Sequence, residues 1–206
     1  MRIAILGGTG SFGKAVAKRL VQAGEDVVIG SRDAERAREA GAEIGCEGAE
    51  NAEAVRGAGL AVLAVKAEAA LETSAELAGA LGDTPLLSVA STLGFSKDGV
   101  RPDPHASSIA ERVADLVPGP VIAGLHSLAA SNLGGDQPPE EDALVCGDDA
   151  DAKALVLALA ERLVSGRAVD CGPLASARAL EGMTAVIVNV NRRYKAHAGL
   201  KVTGLP

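Results

Sequence analysis

Four glycines and a threonine punctuate the stretch Leu6-Gly7-Gly8-Thr9-Gly10-Ser11-Phe12-Gly13. Gly8, Gly10 and Gly13 have the G-x-G-x-x-G spacing, which lets backbone approach a pyrophosphate while the N–H groups of a following helix face its charge. On this reading Gly8 turns the chain off a strand, Gly10 leaves room for the pyrophosphate, and Gly13 lets the helix pack close to the sheet. The N–H groups of the first helical turn, near residues 10–13, then face the phosphates. A second group stands at Ser31, Arg32 and Arg36. A site that selects NAD ends its second strand in a carboxylate for the ribose 2′-OH. Here a hydroxyl and two guanidiniums occupy that place, a set suited to a 2′-phosphate, and the dinucleotide expected is NADP(H). The plainer alternative is that Arg32 and Arg36 pair with Glu35 or Glu39 at a solvated helix start.

Other chemistry is thinly represented. The sequence shows no Ser/His/Asp arrangement, no carboxylate pair at useful spacing and no metal cluster, which suits hydride transfer, where cofactors supply the reactivity. His126, just past an apolar run, is the histidine placed to touch a reacting ring; otherwise it is a satisfied structural histidine. Cys46, Cys146 and Cys171 share no CxxC spacing, so neither a disulfide framework nor a zinc site is expected, in keeping with a reducing cytoplasm. A net charge of −7 with no basic block argues against a nucleic-acid partner. Phe12, Phe95 and Tyr194 are the whole aromatic set, too few for base-stacking platforms. No apolar run reaches bilayer length, and a strand beginning at Arg2 leaves no signal peptide to expect.

The elements that must position these residues alternate. Residues 2–6 and 26–30 read as strands, with a helix over 11–23 between them carrying Phe12, Val16 and Leu20 on one face. Asp33 caps a short helix to about residue 40, and 41–59 reads as loop with a helical turn near 52–55. Strands follow at 59–65, 85–91 and 120–125, helices at 67–81 and 107–117, and a long loop at 92–107. Short connections between alternating strands and helices imply an α/β fold, a Rossmann-type doubly wound parallel sheet. The polar, proline-bearing stretch 127–142 reads as a domain junction. Beyond it a strand (143–147), a helix (150–164), a strand (167–171) and a long helix make a smaller α/β C-terminal lobe. The expected domains are therefore 1–126, binding NADP, and 127–206, closing the cleft. Leu180, Met183, Ile187, Val190 and Tyr194 form a helical stripe that fits either an internal groove or a homodimer seam.

In order and spacing, "MRIAILGGTGSFGKAVAKRL", "VVIGSRD", "AGLHSLAA", "LVCGDDADAKALV" and "AVDCGPLASARALEGMTAVIVNVN" resemble the NADPH-dependent coenzyme F420 reductases, also called F420H2:NADP oxidoreductases. The resemblance implies NADP along Thr9, Gly10, Ser11 and Phe12, with Ser31, Arg32 and Arg36 at its 2′-phosphate. It also implies a deazaflavin, coenzyme F420, against the nicotinamide, in a cleft that involves Val65, Ala67, Ser91, His126, Ser127 and Ala130 and is closed by the tail near Leu200. The chain departs from the family pattern at Lys66-Ala67, at "SVASTLG" and at "HSLAA", all on the side of the second substrate. The activity implied is hydride transfer between NADP(H) and F420. The alternatives are an NADP-dependent reductase of another small acceptor and a non-catalytic NADPH-binding sensor.

Overall fold

Side chains of β1 (Arg2–Leu6) alternate between two cores, Ile3 and Ile5 on one face, Ala4 and Leu6 on the other. A strand buried on both faces has no polar side to show, which is why its sequence is a continuous apolar run. The structure is a computed structural model that describes residues 1–205. After β1 come α1 (Ser11–Gln22), β2 (Asp26–Ser31), α2 (Ala34–Ile44), β3 (Glu47–Glu50), α3 (Asn51–Ala54), β4 (Leu60–Leu63), α4 (Ala67–Leu81) and β5 (Leu86–Ser88). A hairpin of β6 (Leu93–Ser96) and β7 (Gly99–Pro102) precedes α5 (Ile109–Ala114) and β8 (Val121–Gly124). The chain ends with α6 (Ala130–Leu133), β9 (Ala143–Gly147), α7 (Ala150–Ala160), β10 (Ala168–Asp170) and α8 (Ala177–Tyr194).

Six parallel strands lie in the order β3-β2-β1-β4-β5-β8, the doubly wound Rossmann arrangement expected. β9 then pairs antiparallel with β8, and β10 parallel with β9, so one eight-stranded sheet continues past residue 126. The stretch 127–142 that connects β8 to β9 is fastened down. The Arg19 guanidinium, 4% exposed, donates to the carbonyls of Leu133 (3.0 Å), Gly135 (2.8 Å) and Gln137 (2.7 Å). A buried cation whose donors all meet carbonyls ties this segment to α1 without a carboxylate partner.

Three expectations need correction. Residues 47–50, read as loop, form β3: a four-residue edge strand of Glu, Gly and Ala that carries no apolar alternation. Its pairing is decided by β2 and by α2, which packs so closely that a Cβ on Gly48 would meet Ala37 O at 2.1 Å. The loop at 92–107 contains the β6–β7 hairpin, turning through Lys97 and Asp98 and held from α8 by Asn189, a contact no local pattern reports. Asp33 caps α2 as expected, accepting from Glu35 N (3.0 Å) and Arg36 N (3.2 Å), but the helix runs on to Ile44. Within the α8 stripe, Leu180 and Ile187 are buried, Met183 and Val190 half-buried, and Tyr194 exposed. No helix among the described residues is long and apolar enough to cross a membrane.

Candidate functional site

The glycine loop leaves β1 through Gly7, whose φ of +69° only glycine adopts without strain; a Cβ there would also meet Val65 Cγ1 at 2.4 Å. The left-handed turn is thus at Gly7, not at Gly8 as the spacing suggested. Gly8 is a packing position, since a Cβ would lie 2.7 Å from Ile5 O. Gly13 is a packing position against the loop rather than the sheet: a Cβ would sit 2.7 Å from Gly8 Cα, so α1 rests directly on the loop. Gly10 differs from both. It is the N-cap of α1 at φ −75° and ψ 163°, and its Cβ would meet nothing nearer than Gly7 O at 3.8 Å. The packing of the fold does not itself require glycine here. No side chain caps α1 and no acid occupies its first turn, so its free N–H groups and positive dipole end face the crevice.

Two cavities lie over the carboxyl ends of the parallel strands and meet along Ala64, Val65 and Lys66. The first, of about 670 Å³, is lined by Gly7, Thr9, Gly10, Ser31, Arg32, Arg36 and Asn51, among others. Among the described residues, neither Arg32 nor Arg36 pairs with a carboxylate, so the alternative pairing with Glu35 or Glu39 is not formed. Ser31 Oγ accepts from Asp33 N (3.2 Å), which leaves its own proton free to donate. The second cavity, of about 370 Å³, is lined by Phe12, Val65, Ala67, Ala90, Ser91 and Phe95, among others. This pair of cavities can hold an extended dinucleotide at one end and a second ring at the other.

A model of the family described as "NADP oxidoreductase coenzyme F420-dependent" matches residues 2–92. The F420-dependent NADP reductase of Methanothermobacter marburgensis is 37% identical over all of this chain and all of its own length. The enzyme of that name from Methanothermobacter thermautotrophicus is 36% identical over all of this chain and 96% of its own. The chain belongs to the F420-dependent NADP reductase family. A crystal structure from Arthrobacter sp. FB24, provisionally named an F420-dependent NADP reductase, superposes with a TM-score of 0.87 at 26% identity. It is covered in full by 99% of this chain.

This member of the family places the remaining expected residues unevenly. Ser11 is exposed at the start of α1, beside the cavities. His126 is buried behind Ala90, whose carbonyl lies 3.3 Å from its Nε2. Its other ring nitrogen, Nδ1, has no partner, and burial pulls the imidazole down to about 4, so the ring is neutral near pH 7. The preceding Leu125 is buried at φ +66°, a strained conformation for a branched side chain and the one that aims His126 at the end of β5. Thr184 Oγ1 donates to His126 O (3.0 Å) and lies 3.1 Å from Ser91 Oγ, so Ser91 is the donor of that pair. Ser127, Ala130 and Leu200 line neither cavity. Ser127 Oγ donates to Asp142 O (3.1 Å), Ala130 opens α6 against α1, and Leu200 O accepts from Asp142 N (2.8 Å). The Asp142 carboxylate also takes Val202 N (2.7 Å) and Arg167 N (2.9 Å), and these donors hold it below the usual carboxylate range.

Sequence reasoning missed Asn51 and Phe95 as cavity residues. Asn51 is buried, and its Oδ1 accepts from Gly7 N at 3.4 Å; the unrecognised β3–α3 corner gave no signal for it. A separate cavity of about 420 Å³ lies between the hairpin, α5 and α8, away from the glycine loop. Its Glu181 is buried, which raises its carboxyl, and both oxygens accept helix N–H groups, from Ile109 (3.0 Å) and Ala110 (3.1 Å). That carboxylate is spent on capping α5.

The histidine carries a pH consequence. The unfolded chain protonates this ring near 6.5 and the folded protein only near 4, so between those values His126 makes stability rise with pH. The melting temperature of the protein relative to a His126→Gln variant is expected to be level above pH 6.5 and to decline as pH falls towards 4. A difference that stays constant across that range would show that the folded ring is not held neutral.

Proposed function

We propose that this protein transfers hydride between NADP(H) and coenzyme F420. The observation that carries the reading is the junction of two cavities at Ala64–Lys66, with an uncapped helix N-terminus and two unpaired arginines at one end and aromatic walls at the other. In this reading the N–H groups at Ser11–Gly13 hold the pyrophosphate, with Thr9, Gly10 and Phe12 along it. Ser31, Arg32 and Arg36 take the 2′-phosphate through charge-assisted hydrogen bonds. Val65, Ala67 and Ser91 shape the second cavity, and His126 fixes the Ala90 carbonyl from behind. When bound, the nicotinamide and the deazaflavin themselves supply the donor and acceptor carbons, so no residue need move a proton. The test is loss of the deazaflavin's visible absorbance on mixing the purified protein, NADPH and F420. Oxidation of NADPH by a small imine or ketone but not by F420 would favour the other reductase. Tight NADPH binding with no acceptor turned over would favour a sensor.

The same reading takes the protein as a cytoplasmic homodimer. Its three free cysteines suit a reducing compartment. Val186, Val190 and Tyr194 recur every four residues on α8, and Val186 and Tyr194 are 59% and 71% exposed, which supports a seam between two copies. Sedimentation is expected to give twice the chain mass, and Val186→Asp to shift it to one chain; a wild-type monomer would refute the seam.

A further inference from the structure

Aromatic side chains are scarce in this chain: two phenylalanines, one tyrosine and no tryptophan. Both phenylalanines line the second cavity. Phe12 reaches it from the first turn of α1, and Phe95 from the β6–β7 hairpin. Phe95 is 66% exposed, so an apolar ring stands in water at the mouth of a cavity, where a ligand would recover its burial. The ring is nonetheless held. The Arg192 guanidinium lies over it at 5.8 Å from the ring centroid, a cation–π contact from α8. Phe95 is the register partner of Val100, whose N–H donates to Asn189 Oδ1 (2.8 Å) and whose carbonyl accepts from Asn189 Nδ2 (2.7 Å). One helix therefore fixes both the hairpin and its ring, at no ordering cost when a ligand arrives.

We infer that Phe95 stacks on the planar second substrate and selects for an acceptor with an extended ring system. The inference rests on the hydride-transfer reading above. Hydride transfer needs one face of the acceptor turned to the nicotinamide, which leaves its other face or an edge in need of an apolar partner. Phe95 offers a ring in that cavity, and offset or edge-to-face aromatic contact adds to plain burial. A small aliphatic imine or ketone has no ring face to meet it.

Steady-state kinetics on Phe95→Ala, Phe95→Leu and Phe95→Tyr, with each substrate varied in turn at saturation of the other, test this. Phe95→Ala is expected to raise the KM for F420 about tenfold while leaving the KM for NADPH unchanged and lowering the melting temperature by no more than about 2–4 °C, the loss of the Arg192 contact. Phe95→Tyr is expected to restore the F420 value, and Phe95→Leu, apolar but without a ring face, to fall between. A Phe95→Ala enzyme with an unchanged KM for F420, or with the change in NADPH instead, would overturn the inference and leave the F420 reading standing. So would a Phe95→Leu enzyme equal to wild type. Wild-type protein that transfers no hydride to F420 would overturn both, and is read without any variant.

Discussion

Gly10→Val is expected to abolish binding of NADP(H) while leaving the protein folded. The Cβ has space in the protein itself, its nearest neighbour being Gly7 O at 3.8 Å, so the valine side chain extends into the crevice the pyrophosphate needs. Valine is a poorer N-cap than glycine by up to about 1 kcal/mol, which for a chain of this size moves the melting temperature by about 2–4 °C. Gly13→Ala makes the contrast. Its Cβ would lie 2.7 Å from Gly8 Cα, so backbone must shift, and overpacking of this kind costs about 1–3 kcal/mol. Titration of NADPH fluorescence together with thermal denaturation separates the two variants: Gly10→Val loses the ligand and keeps stability, whereas Gly13→Ala loses stability. Normal NADPH affinity in Gly10→Val would mean that the dinucleotide does not cross the α1 N-terminus.

Arg32→Ala is expected to weaken NADPH about ten- to a hundredfold and NADH hardly at all, since hydrogen bonds to a charged group contribute about 1.5–3 kcal/mol. The guanidinium is exposed, lines the first cavity and has no carboxylate partner, so nothing in the protein is broken by its removal. Because the contact lies at the surface, the preference for NADPH should also narrow as ionic strength rises. Parallel binding titrations with the two dinucleotides decide it. Equal losses for both would show that Arg32 does not read the 2′-phosphate, and the selectivity would then rest on Ser31 and Arg36.

The sequence by itself determined the parts of this protein in which chemistry and local conformation coincide. Gly8, Gly10 and Gly13 stand between a two-sided apolar strand and an amphipathic helix, and Ser31 and Arg32 end the next strand; both features follow from backbone sterics and charge within a few residues. Helix α4 over 67–81 was legible to the residue, because its periodicity and flanks are local. Tertiary structure alone decided the rest. β3 is a strand because β2 and α2 are beside it, and the β6–β7 hairpin forms on a side chain, Asn189, that lies nearly ninety residues away (|i−j| = 89). At the left-handed residue, Gly7, the segment leaving β4 passes close by at Val65, a long-range contact that a G-x-G-x-x-G spacing does not encode. His126 read as a candidate contact from its place at a strand's end, yet whether it faces a cavity or lies behind one depends on where β5 ends next to it. Spacing reports what a segment can do alone; burial, edge pairing and the meeting of two cavities belong to segments far apart in the chain, and only packing brings them together.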